Sequence, residues 1–208
     1  MAAAFQVDFP GRCRQSAGKV KLSGVILAAG LSRRMGFPKA LLQWEQETYL
    51  DRLIRLFGQV CQEVVVVLRP EAESGLIACR RLSEARIVFN PDAERGQLSS
   101  LQTGLAAITA DAVLFTPVDY AHVREATVLA VSAGSSAMVF QPSFGGKHGH
   151  PVWIQRPVAE ALLAAPVDSA ARDVVRRFNR SFIEVDDEGC VMDCDDAADF
   201  KNVRERMA

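Results

Sequence analysis

The run Val64-Val65-Val66-Val67-Leu68 has no polar side. A strand that is apolar on both faces needs cover on both. It therefore belongs inside a sheet with helices packed above and below, as in parallel α/β folds. The chain from residue 22 onward agrees with that constraint. Residues 22–28, 86–89, 113–116 and 137–141 read as further strands, while 148–154 and 181–194 add strands that would give the sheet a mixed edge. Between them Leu50, Leu53, Ile54 and Phe57 recur at helical spacing, as do Leu98, Leu101, Leu105 and Ile108. Val174, Val175 and Phe178 make a shorter stripe. The alternation implies right-handed βαβ units: an α/β fold, built as a single-domain, Rossmann-like three-layer sandwich with a mostly parallel sheet.

Composition narrows the function classes. The chain of 208 residues suits one domain, with 21–208 as the folded unit. Residues 1–20 lack the long apolar core of a secretory signal and contain Pro10, Gly11 and Gly18, so they read as a flexible N-terminal arm. An apolar fraction of 49% excludes a mainly disordered chain. A formal charge of −1 excludes non-specific nucleic-acid binding, and no apolar run is long enough for a spanning helix, so neither nucleic acid nor membrane is an expected partner. Cys13, Cys61, Cys79, Cys190 and Cys194 are odd in number and irregular in spacing, which points to a reducing cytoplasm rather than a disulfide framework. Cys190 and Cys194 lack a second pair to complete a zinc set and read as ordinary thiols near the end of a strand.

Ligands of open α/β sheets collect beyond the carboxyl ends of the strands. After the first strand comes Leu27-Ala28-Ala29-Gly30-Leu31-Ser32-Arg33-Arg34-Met35-Gly36-Phe37-Pro38-Lys39. Small residues let the backbone approach a ligand, and two arginines and a lysine without an acidic neighbour suit phosphate oxygens. No Ser or Thr follows Lys39 as a Walker A loop requires, and the GxGxxG fingerprint is absent. A basic connecting turn is the alternative. Asn90-Pro91 and Gly96-Gln97-Leu98-Ser99-Ser100 precede or open a helix, whose free N–H groups bind bases, riboses or anions; serine N-capping is the plainer account. Asp119 ends the strand over 113–116, placed either to hold Mg²⁺ or to cap a helix near 121–131.

The pattern Leu27-Ala28-Ala29-Gly30-x-Ser32-x-Arg34-Met35-Gly36-x-Pro38-Lys39 resembles the signature of the nucleotidyltransferases that finish molybdenum cofactor, and is most similar to the molybdenum cofactor cytidylyltransferases. The resemblance extends over about residues 22–203. It includes the 96–105 segment, Pro117-Val118-Asp119, Gly149-His150-Pro151-Val152 and the acidic stretch at 193–199. It implies a nucleotide-diphospho-sugar transferase-like fold, with Leu27, Ala28, Ala29, Gly30, Ser32, Arg33, Asn90, Gly96, Ser99 and Ser100 binding the nucleotide. Arg34, Lys39 and Asp119 would be catalytic, and Asp119 and Asp195 would hold Mg²⁺. His150, Asp168 and Arg172 would face the acceptor. Asp195 has a competing reading as the cap of a terminal helix, and His150 as a structural histidine. Tyr120-Ala121, Asp196-Ala197 and the missing glycines around Asp168 depart from the family pattern.

The implied reaction is attack of an acceptor phosphate on the α-phosphorus of CTP, with pyrophosphate leaving. The partners would be CTP and a molybdopterin-type acceptor, the product passing to a molybdoenzyme or its maturation chaperone. The guanylyl-transferring branch of the family usually opens with Leu-Ala-Gly-Gly, so the resemblance, through Ala29, implies cytidine rather than guanosine. Two other readings stay open: an NAD(P)-dependent oxidoreductase of the nicotine blue oxidoreductase type, which has a similar arginine-rich first loop, and a non-catalytic chaperone that delivers the cofactor.

Overall fold

The computed structural model describes residues 20–30 and 35–207. The arm expected over 1–20 therefore lies, apart from Val20, outside the described residues, as do Ser32, Arg33 and Arg34. The chain runs through β1 (Leu22–Leu27), a small hairpin of β2 (Gln43–Trp44) and β3 (Glu47–Thr48), and α1 (Tyr49–Gly58). β4 (Glu63–Leu68), β5 (Arg86–Phe89), α2 (Gln97–Ala106), β6 (Ala112–Pro117) and α3 (Glu125–Ser132) follow. The second half holds β7 (Val139–Phe144), β8 (Lys147–His148), β9 (Val152–Gln155), α4 (Arg156–Ala164), α5 (Ala171–Val175), β10 (Arg180–Glu184) and α6 (Ala197–Met207). Among the described residues no helix is long and apolar enough to cross a membrane.

The main sheet has the order β10-β7-β9-β6-β1-β4-β5, with β8 paired to β7. β1 runs parallel to both β4 and β6, and β4 to β5. β9 is antiparallel to β6 and β7, which makes the β10 side of the sheet mixed. Along β4 the side chains alternate between faces. Val64, Val66 and Leu68 join Leu50, Leu53, Ile54 and Phe57 of α1 in one core, whereas Val65 and Val67 join Leu98, Leu101 and Leu105 of α2 in the other. Both layers come very close to the sheet. A Cβ on Gly24 would lie 2.7 Å from Phe57 Cδ2, and one on Gly104 would lie 2.5 Å from Val25 Cγ1 and 2.9 Å from Val67 Cγ2.

Four expected elements are shorter than the sequence suggests. The strand expected over 181–194 ends at Glu184, because the buried Asp187 accepts hydrogen bonds from Gly189 N (3.1 Å), Arg124 N (2.8 Å) and Thr127 Oγ1 (2.6 Å). A carboxylate that gathers backbone donors in this way competes with a strand ladder. Cys190 consequently sits in a 3₁₀ turn (Glu188–Val191) and Cys194 in the loop beyond it, both buried free thiols. The run over 148–154 is broken between β8 and β9, where Pro151 has no N–H to donate to a ladder. Ile108 and Phe178 lie beyond the ends of α2 and α5. Helix α6 docks through the buried Val203 and through Phe200, whose ring lies 6.0 Å from that of Tyr49.

Candidate active site

The loops after β1, β4 and β6 and the start of α2 enclose a cleft of about 830 Å³ at the carboxyl ends of the central parallel strands. Leu27, Ala28, Ala29 and Gly30 form its floor. Ala28 N still donates to Val67 O (2.9 Å), so the backbone leaves the sheet only after Ala28.

Three charged groups meet in this cleft. Lys39 opens a 3₁₀ turn (Lys39–Leu41) whose N-cap is Pro38; Asp119 lies in a second turn (Val118–Tyr120) just beyond β6; Asp195 immediately precedes Asp196 and α6. Lys39 Nζ donates to Asp195 Oδ1 at 2.6 Å and to Asp119 Oδ2 at 3.2 Å. Neither aspartate caps a helix. Arg124 occupies the N-cap of α3. For α6 the donors Ala198 N (2.8 Å) and Asp199 N (2.9 Å) go to Asp196 Oδ1, while Asp199 Oδ2 accepts from Asp195 N (3.1 Å) and Asp196 N (3.2 Å). This reciprocal arrangement is a capping box with Asp in the usual Glu position. It leaves the Asp195 carboxylate directed to Lys39.

Buried scaffolding holds the two aspartate loops. Arg52 of α1 donates from Nε to Ala121 O (2.8 Å) and from Nη2 to Val123 O (3.2 Å). His122 Nε2 meets Met192 O at 2.7 Å, which joins the Asp119 loop to the segment that leads to Asp195. Burial raises the Asp119 pKa above its ordinary value even though Lys39 opposes the shift. Burial alone would lower Lys39, but its hydrogen bond to Asp195 and the charge of Asp119 outweigh that and raise it. Among the described residues Asp119 Oδ1 is buried without a hydrogen-bond partner. An orphaned carboxylate oxygen beside a second carboxylate fits a divalent cation that takes its other ligands from phosphates and water. No group of three or more His, Cys, Asp or Glu side chains that could hold a metal occurs among the described residues, so protein ligation would rest on this pair.

The expected nucleotide residues on the other wall divide. Gly96, at φ +106°, begins α2 without a side-chain cap and lines the cleft together with Gln97 and Ser100. Asn90 and Ser99 are buried in a knot behind that wall. Asn90 Nδ2 donates to Ser99 Oγ (3.0 Å) and Ser100 Oγ (3.1 Å), Asn90 Oδ1 accepts from Asp92 N (3.0 Å), and Ser99 Oγ donates to Asp92 O (3.1 Å). These bonds fix the approach to α2, and the helix amides remain for a ligand.

Against the first cleft, with Gln97 in both walls, lies a second cavity of about 520 Å³. His150 and Arg172 line it beside Lys147, His148, Arg176 and Arg180, whereas Asp168 is exposed and lines neither cavity. The His150 ring packs 4.5 Å from Tyr120, and burial pushes its pKa down to about 4, so it is a neutral hydrogen-bonding group. Its backbone N donates to Cys190 O (2.8 Å), and a Cβ on Gly149 would overlap that same carbonyl. Sequence reasoning missed Arg52, which sits among the apolar positions of α1 and leaves no signal. It also missed Arg69, which follows β4 at one of the strand ends where ligands collect.

Comparison with known proteins identifies the family and the fold. The chain is 26% identical over 182 residues to the molybdenum cofactor cytidylyltransferase of Escherichia coli, covering 88% of this chain and 95% of that protein. A probable molybdenum cofactor guanylyltransferase of Bacillus cytotoxicus is 27% identical over 100 residues, but the chain spans about half of that relative, 49% of its length. The crystal structure of Rv0371c from Mycobacterium tuberculosis superposes with a TM-score of 0.79 at 28% identity, over 91% of this chain and all of that one. A complex of that protein with manganese superposes with a TM-score of 0.74 at 24% identity, over 89% of this chain and 98% of that one. The fold is that of nucleotidyltransferases, and since residues 24–182 match the MobA-like NTP transferase domain, the chain belongs to that family.

Proposed function

We propose that the chain transfers CMP from CTP to a phosphate of a molybdopterin-type acceptor and releases pyrophosphate. The observation that carries this reading is the Lys39–Asp119–Asp195 cluster beside a floor of small residues. Likeness to the Escherichia coli cytidylyltransferase along nearly its whole length, together with Ala29, supports cytidine. An acceptor phosphate is already ionised at neutral pH, so the reaction needs positioning and charge neutralisation rather than a general base. The backbone amides of Ala29 and Gly30 and of the first turn of α2, 97–99, bind the nucleotide. Lys39 holds the reacting phosphate oxygens, and Arg34, with Ser32 and Arg33 outside the described residues, steadies the leaving pyrophosphate. Asp119 and Asp195 would hold Mg²⁺, which when bound supplies positive charge to the phosphates. The basic second cavity, with His150 and Arg172, takes the acceptor. Free Cys61, Cys79, Cys190 and Cys194 suit a reducing cytoplasm.

The partial matches to guanylyltransferases favour GTP as the second reading. A thermal-shift panel of CTP, GTP, UTP, ATP and NADPH with Mg²⁺ decides between them, because a ligand that binds the native state raises the melting temperature. The largest shift is expected from CTP, followed by pyrophosphate release with a molybdopterin acceptor. A shift from NADPH alone would instead favour an oxidoreductase, and nucleotide binding without pyrophosphate release would favour a carrier.

A further inference from the structure

Arg69 stands directly after β4, on the opposite side of β1 from β6 and Asp119. The cleft therefore has two ends. Lys39, Asp119 and Asp195 make the charged end, and Arg69 lines the other beside its chain neighbours Leu68, Glu71, Ala72 and Leu76. A nucleotide whose phosphates lay at Lys39 would extend its base toward this second end.

The arginine is out of character there. Its side chain is only 20% exposed, and its one ion pair among the described residues, Nε to Glu71 Oε2 at 3.4 Å, is with a carboxylate that is itself 75% exposed. Nη1 is buried and meets no acceptor among the described residues. A guanidinium carries five N–H donors in a rigid fork, and buried donors without acceptors are unfavourable. The missing acceptors are of the kind that a base edge provides.

We propose that Arg69 selects the base, donating a forked pair of hydrogen bonds to two adjacent acceptors on its edge, N3 and O2 of cytosine. Uracil carries an N–H donor at N3, which opposes the guanidinium, so Arg69 separates CTP from UTP. Guanine offers an equivalent pair in O6 and N7, and adenine pairs a donor with N7. The inference rests on the nucleotidyltransferase reading of the same cleft and adds to it the group that discriminates the base.

The test is titration calorimetry of the full chain, wild type and the Arg69→Met and Arg69→Lys variants, with CTP, UTP and inorganic triphosphate, each with Mg²⁺. Wild type is expected to prefer CTP to UTP. Arg69→Met loses about tenfold of that preference, the scale of one bidentate base contact, and leaves triphosphate affinity unchanged. Arg69→Lys keeps the charge but lacks the fork, and does not restore the preference. Should Arg69→Met fail to fold by circular dichroism, Arg69→Lys carries the test alone. A CTP preference that survives in the variants overturns the proposal, as does a parallel loss for all three ligands, which would make Arg69 a phosphate contact. A wild type that binds GTP in preference to CTP overturns the proposal together with the cytidine reading. No binding of any nucleoside triphosphate overturns both readings.

Discussion

Lys39 Nζ lies 2.6 Å from Asp195 Oδ1, across 156 residues of chain. The contact joins the first loop of the fold to the segment that enters its last helix, and Asp119, 3.2 Å from the same ammonium, completes the group. Lys39→Met would leave two carboxylates facing each other and would remove the positive charge that the proposed reaction sets against the reacting phosphates. Turnover should fall by about 10²–10³-fold, the usual effect of deleting one preorganised charge-stabilising donor, with a smaller change in CTP affinity. Pyrophosphate-release kinetics beside equilibrium binding would check this. Equal losses in both would make the lysine a ground-state anchor.

The two aspartates should respond differently from Lys39. Asp119→Asn and Asp195→Asn each remove a negative ligand, so the Mg²⁺ concentration for half-maximal activity should rise by about tenfold or more. Asp119 should show the larger effect, because its Oδ1 is buried and unpartnered among the described residues. Magnesium titrations with the same midpoint in wild type and Asp119→Asn would remove it from the metal site.

The parts of this arrangement that were legible in the sequence depend on local pattern. The all-apolar run at 64–68 could be satisfied only by cover on two faces, and the small residues after the first strand, at the carboxyl end of a parallel sheet, do line the cleft. The parts that were not legible depend on distant partners. Nothing around Asp187 announces that Arg124 N and Thr127 Oγ1 will take its carboxylate and stop the strand. Asn90 and Ser99 look like ligand groups by composition, yet the fold uses them to brace a loop. Asp195 and Asp196 are adjacent acids with the same local prospects as caps. Only the docking of α6 through Phe200 and Val203 decides which one caps the helix and which reaches Lys39.

That division of labour can be tested directly. Asp196→Ala removes the acceptor for Ala198 N and Asp199 N and should cost about 1 kcal/mol, the typical loss of an N-cap. Amide exchange should quicken in the first turn of α6. Activity should fall as well, because the cap orders the backbone that presents Asp195. Faster exchange with unchanged turnover would separate the cap from the site.

Gly104 tests the packing of α2 on the sheet. A methyl group there would meet Val25 and Val67 side chains, so Gly104→Ala should destabilise by roughly 1–3 kcal/mol in spite of the better helix propensity of alanine. The thermal midpoint should drop by several degrees. An unchanged or higher midpoint would show that α2 can lift from the sheet at little cost.

The pH dependence of stability follows from the buried histidines. Burial pushes His150 down to about 4 and also lowers His122, while unfolded histidine titrates near 6.5. Above pH 6.5 both states of His150 are neutral and stability is at its full value. Between 6.5 and 4 the unfolded chain takes up a proton that the folded chain refuses, so stability falls as the pH falls, and below 4 this contribution stops changing. The loss from His150 should reach roughly 2 kcal/mol by pH 5, before most carboxylates protonate. His150→Gln, though less stable at neutral pH, should show a flatter decline between pH 6.5 and 5 in urea unfolding followed by circular dichroism. The same slope in wild type and variant would mean that the His150 ring accepts its proton inside the folded protein.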